Sequence, residues 1–275
     1  MMKLLYLALG AVVIYFAFSF NILLGIAVVI GIILYGIYHF MPMYYVTVAN
    51  KAFEMGNEKA ACEWYKKAYD TGRAKVDIKS SYAYLLLRTG HADEAERVLD
   101  PIIRVRGLAP EKKNLAKQQR CMVYYKQGRL DEAIADAEEI METGYRNTNL
   151  YGMMGYFKLL SNSPIEETLE FCKEAYDYND EDRDIMDNLS LCYYRLNKYD
   201  EAKELSDKII EQFPEFLEGY YHGAQIAIKL HDYKTAGEYV EKMSECKRSA
   251  LTTVSEEEAE ALAQEVKKYN ENTTT

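Results

Sequence analysis

Acid–base, nucleophilic and metal chemistry draw first on histidine and cysteine, and this chain offers four His and five Cys. His39 lies in a long apolar stretch, while His91 and His231 fall near turns between helical runs, so none of the three is set beside a nucleophile or a second ligand. His222 alone stands inside a helical run. Cys121 occupies a small-residue packing place, Cys62, Cys172 and Cys192 stand within amphipathic runs as buried thiols do, and Cys246 is the most exposed of the five. An odd count without paired spacing reads as reduced thiols rather than a disulfide framework. The chain has no Gly-rich phosphate loop, no His-Glu-x-x-His, no Cys-x-x-Cys and no Gly-x-Ser-x-Gly. The expectation is a protein that is not an enzyme, with no catalytic residue, no metal and no cofactor.

The elements that would position any site divide into two kinds. Between residues 4 and 50 there is no Asp, Glu, Lys or Arg, and nearly every residue up to Met41 is apolar or aromatic. A single helix over residues 4–41 would run about 57 Å, close to twice the hydrocarbon core of a bilayer. Two crossings, residues 4–18 and 22–40, fit better, with Ser19, Phe20 and Asn21 as a tight polar turn. Small residues Ala8 with Ala11, and Ala27 with Gly31, would let the two helices pack. A signal peptide ending near Ser19 is the rival reading, but the second apolar span would still anchor the product. Lys3 precedes the first span and the Lys51-led segment follows the second, which predicts a cell-membrane protein with both ends in the cytoplasm.

Charge is also divided. Residues 51–130 carry 17 Lys and Arg against 10 Asp and Glu, whereas residues 131–275 carry 15 against 33. The half beside the membrane is basic, which suits an anionic leaflet, and the distal half is acidic, which disfavours nucleic acid as a partner.

Beyond residue 41 the sequence repeats. Gly56 with Ala61, Gly90 with Ala95, Gly128 with Ala133, Asn197 with Ala202 and His231 with Ala236 share one offset, and Asp-Glu-Ala recurs at residues 93–95, 131–133 and 200–202. Aligned on these marks, units begin near Pro42, Val76, Asn114, Thr148, Arg183 and Leu217. Small residues recur at the eighth place (Ala49, Ala83, Cys121, Gly155, Ser190, Ala224) and near the twentieth (Ala61, Ala95, Ala133, Thr168, Ala202, Ala236), where paired helices touch. Gly56, Gly90, Gly128, Asn162, Asn197 and His231 stand between the helices, as residue types that accept a left-handed backbone. The pattern resembles the tetratricopeptide repeat.

That resemblance implies an all-α solenoid of six helix-turn-helix units over residues 42–75, 76–113, 114–147, 148–182, 183–216 and 217–250. The membrane anchor occupies residues 1–41 and a capping helix with a disordered tail residues 251–275. Ser255 and Glu258 form a capping box, which predicts that helix over about residues 255–269. The second unit is four residues longer than the others, and the fourth has a longer inner turn at Ser161-Asn162-Ser163-Pro164. In the family, inward places on the first helix of each unit line a protein-binding groove. Here these are Tyr84, Arg88, Gln118, Met122, Tyr125, Lys126, Tyr156, Tyr194, Arg195, Tyr221 and Gln225, with Ser80, Leu87 and Lys229. Aromatic bodies among cationic and amide heads suit a peptide or helix laid along the face. Some members hold a carboxylate terminus with Lys, Asn and Arg. Asp77, Ser80, Leu115 and Asp184 occupy the cationic places, so that clamp is not expected even though Asn50 and Asn188 could each fill a place. The resemblance implies a membrane-anchored scaffold or adaptor for a protein or peptide partner, with no small-molecule substrate. The alternative is an accessory subunit of an integral membrane complex for secretion, envelope assembly or division, with the hydrophobic hairpin as its interaction surface.

Overall fold

The structure is a computed structural model that describes the backbone of residues 2–273 and the side chains of residues 10–269. The described residues form fourteen helices and no strand, and the chain divides into two compact units, Met1–Tyr82 and Ala83–Thr275.

The first unit holds α1 (Met2–Phe20), α2 (Ile22–Glu54), α3 (Glu58–Asp70) and the start of α4 (Val76–Arg88). Only Asn21 interrupts the first two helices, and its Oδ1 caps α2 by accepting from the Leu23 and Leu24 amides at 2.8 and 3.4 Å. Ser19 and Phe20, expected in the turn, belong to α1. A one-residue turn brings two helices closest at their joined ends. A Cβ at Gly25 would lie 2.4 Å from the Phe18 ring, and Ala17 is buried beside it. The helices therefore meet at Phe18 and Gly25, not at the expected pair Ala27 and Gly31, which are exposed. Ala11 is exposed as well, and the Ala8 side chain lies outside the described residues.

Among the described residues α2 is the one helix long and apolar enough to cross a membrane, and the shorter apolar stretch of α1 covers Gly10–Phe20. Ile22, Leu23, Tyr35 and Phe40 are among the many large apolar side chains left exposed on α2. The helix does not stop at the end of its apolar part but continues as the first helix of the first unit of the repeat, against α3. Pro42 lies inside it and has no N–H to give the Tyr38 carbonyl four residues back. Arg73 fills the gap: its Nη2 donates to Tyr38 O at 2.8 Å and its guanidinium lies 3.5 Å from the Tyr38 ring centre.

The second unit takes up α4 at Ala83 and continues through α5 (Ala92–Ile103), α6 (Pro110–Lys126), α7 (Leu130–Glu142), α8 (Thr148–Leu160), α9 (Ile165–Tyr178), α10 (Arg183–Arg195), α11 (Tyr199–Gln212), α12 (Leu217–Lys229), α13 (Tyr233–Glu245) and α14 (Glu256–Thr273). The helices α4, α8, α10 and α12 begin at Val76, Thr148, Arg183 and Leu217. The four extra residues of the second unit go into the first turns of α6, with Pro110 at its start and Asn114 one turn in. Every small residue at the eighth and twentieth places is buried. Ser190 shows why size matters there: its Oγ donates to the Ala202 carbonyl at 2.9 Å, joining α10 to α11.

Gly56, Gly90, Gly128, Asn197 and His231 all have positive φ, from 58° to 82°. Asn162 does not, because the fourth inner turn is built differently. Ser161 leaves α8 with extended backbone, its Oγ accepts from the Ser163 amide at 3.2 Å, and Pro164 caps α9. Arg120 ties three helices: it makes a bidentate contact with Asp136 of α7 at 2.7 and 2.9 Å and reaches Asp100 of α5 at 3.0 Å. The helix α14 packs on α13 and α12 and buries Leu262 and Val266 against Ala224, Ala227 and Ala236. Ser255 and Glu258 bond reciprocally at its start, at 2.8 and 3.1 Å. It runs past Asn270, where a disordered tail is expected from sequence, to Thr273; Met1, Thr274 and Thr275 lie outside the described residues.

Candidate functional site

The side chains expected on the inner face belong to α4, α6, α8, α10 and α12. Several are already engaged within the protein. Arg88 Nη1 donates to the Tyr84 hydroxyl at 3.1 Å, one turn away. Gln118 is buried and its Oε1 accepts from Asn147 Nδ2 at 3.0 Å, which joins α6 to the residue capping α8. Met122 packs on the core formed by Cys121, Tyr124, Ile140 and Phe157. Arg195 projects from α10 and donates to the Leu159 carbonyl at 2.5 Å, at the C-terminal end of α8. Tyr194 meets Tyr199 edge to face at 5.7 Å, and Gln225 is half-buried on α12. Ser80 and Leu87 are buried and Lys229 is exposed.

The remaining members do come together. Tyr125 and Tyr156 meet edge to face at 5.7 Å with their hydroxyls 3.3 Å apart, and Lys126 lies 5.3 Å from the Tyr125 ring centre. Burial pushes the Tyr156 hydroxyl well above the ordinary tyrosine range, and its bond to Tyr125 adds to the shift. Burial also lowers the Lys126 ammonium, with Glu218 opposing that shift. Tyr221 joins the α12–α14 core.

What sits against this cluster is the chain itself. Residues 246–255 join α13 to α14, a much longer connection than residues 179–182 or 213–216 at equivalent places. A turn closes the tip: the Thr252 amide donates to Ser249 O at 3.1 Å and the Ser249 amide to Thr252 Oγ1 at 3.0 Å. Lys126 Nζ donates to the Thr252 carbonyl at 3.2 Å, while Glu218 Oε1 accepts from the Thr253 amide at 2.8 Å and from its hydroxyl at 3.2 Å. The Thr252 carbonyl and Thr253 amide are the two poles of one peptide group, so a cation and a carboxylate hold that group from opposite ends. Val254 follows into a buried cluster of Leu217, Tyr220, Met243 and Ala259. Glu218 was not among the inward places, and only the length of the 246–255 segment signals the arrangement in the sequence.

Most of the residues weighed for chemistry have partners within the fold. His222 is partly buried with its Nδ1 2.9 Å from both carboxylate oxygens of Asp187, which ties α12 to α10. Burial opposes its charge, but the Asp187 carboxylate prevails and raises its pKa. His91 precedes α5 with Nδ1 3.0 Å from Thr89 Oγ1, and His231 lies 3.0 Å from the Tyr233 hydroxyl. Cys172 and Cys192 are buried side by side between α9 and α10, and burial pushes the Cys246 thiol up. Asn50 accepts from the Tyr65 hydroxyl at 2.7 Å and Asn188 donates to the Gly152 carbonyl at 2.7 Å, so both amides serve the fold. Among the described residues no group of three or more His, Cys, Asp or Glu could hold a metal ion.

Residues 184–215, α10 and α11 with their flanks, match the tetratricopeptide repeat family. The described residues form a solenoid of the tetratricopeptide type, and this segment is the length of one repeat. Solved structures of similar fold agree with this. The chain is 15% identical to pilF of Pseudomonas aeruginosa, covering 82% of this chain and 96% of that one at a TM-score of 0.58. A tetratricopeptide repeat protein from Parabacteroides merdae is 14% identical over 83% of this chain and 93% of its own, with a TM-score of 0.54. Cut9-Hcn1, a hetero-tetramer of the APC/C, gives 0.66 at 12% identity over 82% of this chain but only 42% of its own. Identities this low carry the fold and nothing finer. No curated protein matches the chain.

Proposed function

We propose that this protein is a membrane-anchored tetratricopeptide scaffold that holds a segment of a partner protein on the face lined by α6, α8, α10 and α12. The observation that carries this reading is the peptide group of Thr252 and Thr253, gripped by Lys126 and Glu218 beside the Tyr125–Tyr156 pair. A surface that binds a polypeptide through its main chain is suited to binding another. Main-chain contacts supply affinity and the surrounding tyrosines supply selectivity.

Anchoring belongs to the same proposal. The apolar part of α2, about 28 Å over residues 22–40, matches a bilayer core, and α1 returns across it. Arg73, on the Tyr38 carbonyl and ring, supports an end of the hydrocarbon near that level, since a guanidinium belongs at the interface. Lys67, 3.6 Å from the Trp64 ring centre, supplies a second pairing of cation and aromatic in the same unit. The basic balance of residues 51–130 supports a cytoplasmic side for the repeats.

The test is a crosslinking pull-down of the full chain from its own cells, in parallel with a form beginning at Met43 and with Tyr125→Ala in the full chain. Capture of the same soluble protein by the first two, and its loss in the variant, is the expected result. If only the full chain captures, and what it captures is an integral membrane complex, the hairpin is the binding surface and the scaffold reading fails.

A further inference from the structure

We infer that residues 247–255 are the binding face's own ligand, and that the partner enters by replacing this loop at the Lys126–Glu218 grip. The inference rests on the scaffold reading above and specifies its chemistry.

Four features separate the loop from an ordinary linker. It is far longer than the distance from α13 to α14 demands, since equivalent connections need only residues 179–182 or 213–216. Its tip is preformed by the Ser249–Thr252 turn and by Arg248, whose Nη1 donates to the Val254 carbonyl at 2.7 Å. It reaches back across several repeats: a methyl at Gly90, between α4 and α5, would lie 3.7 Å from the Ala250 Cβ. Finally, its hold is specific but sparse. Leu251, Thr252 and Thr253 remain half-buried, and Val254 is the one loop residue that is buried.

The chemistry of the grip describes the partner. It presents an ammonium to a carbonyl, and a carboxylate to both the next amide and its hydroxyl side chain. The fitting ligand is an uncharged Ser- or Thr-bearing turn, followed by a small branched residue for the pocket of Leu217, Tyr220 and Met243. An acidic residue at the position of Thr253 is excluded by Glu218.

A tethered ligand competes at an effective concentration of about 1 mM. A free segment of about 100 μM intrinsic affinity therefore binds the occupied face roughly tenfold more weakly than the vacated one.

The probe is a fluorescent peptide of residues 247–255, Lys-Arg-Ser-Ala-Leu-Thr-Thr-Val-Ser, added to the full chain in detergent. Thr253→Asp, which sets a carboxylate against Glu218, vacates the face, and faster tryptic cleavage after Arg248 reports the release. The expected result is at least tenfold tighter binding to T253D than to the native chain, abolished by adding Lys126→Ala or Glu218→Ala. A second variant, with residues 249–254 replaced by Gly-Ser repeats, serves if T253D misfolds. Equal affinity in native and vacated chains, no binding to a folded vacated chain, or unchanged cleavage in T253D each overturns the inference. Loss of the captured partner in Tyr125→Ala would leave the scaffold reading standing even then.

Discussion

Pro42 and Arg73 allow the coupling between a sequence feature and a distant side chain to be measured. Proline inside α2 leaves the Tyr38 carbonyl without its helical donor, and Arg73 supplies one at 2.8 Å while stacking at 3.5 Å on the Tyr38 ring. A hydrogen bond from a charged donor contributes about 1.5–3 kcal/mol, and a cation over an exposed ring about 0.5–1 kcal/mol. Tyr38 is 56% exposed, so the lower ends apply and Arg73→Ala should cost about 2 kcal/mol. In a Pro42→Ala chain the backbone regains an N–H for the Tyr38 carbonyl, and only the stacking is left to lose. Arg73→Ala should then cost about 0.5 kcal/mol, a coupling of about 1.5 kcal/mol between two residues far apart in sequence. The assay is hydrogen exchange of the α3 amides in lipid nanodiscs across the four chains of the cycle. An equal loss in the native and Pro42→Ala backgrounds would refute the account, because Arg73 would then act through packing or charge alone.

Three further outcomes are expected. Gly155→Ala puts a methyl 3.0 Å from Asn188 Nδ2, which is fixed by its bond to the Gly152 carbonyl, so the gain in helix propensity is outweighed and about 1–2 kcal/mol is lost in urea unfolding; an Asn188→Ala background should cancel the loss. Arg120→Met strands the Asp136 and Asp100 carboxylates and should cost about 3 kcal/mol, whereas Arg120→Met with Asp136→Leu should recover at least half of that in the same assay. The raised pKa of His222 means that its stabilisation is fully present below its ordinary value of 6.5 and fades as pH rises through the higher folded value. The melting temperature of the native chain should therefore fall as pH rises above 6.5 through that window, and Asp187→Asn should flatten the fall.

The inner turns and close helix contacts were legible because they rest on local rules that sequence carries directly. A small residue must stand where two helices touch, and Gly, Asn or His accepts the left-handed turn that follows a first helix. Five of the six turns obey. The exception, Asn162, follows from Pro164: proline caps α9 and the two serines close the turn with their hydroxyls, so no left-handed residue is needed. The hairpin contact was not legible, since small residues are spread along both helices and only the one-residue turn at Asn21 selects Gly25.

The proposed binding face illustrates a different limit. Periodicity assigns Tyr125, Lys126 and Tyr156 to one side of their helices, and they are found together there. Periodicity cannot tell whether a side chain on that face is spent on the fold, as Gln118 is on Asn147 and Arg195 on the Leu159 carbonyl. Nor can it see a ligand contributed by the same chain, because the contact between Lys126 and Thr252 spans more than three repeats and has no spacing of its own. The Thr252–Thr253 grip arises because α14 closes the array at the α12–α13 end while the slack between Glu245 and Glu256 exceeds what that closure needs. Slack of this kind is tethered beside the face at a high effective concentration, which helps a few polar contacts to lodge it. If the loop is the face's own ligand, the same few contacts are all that a partner has to replace.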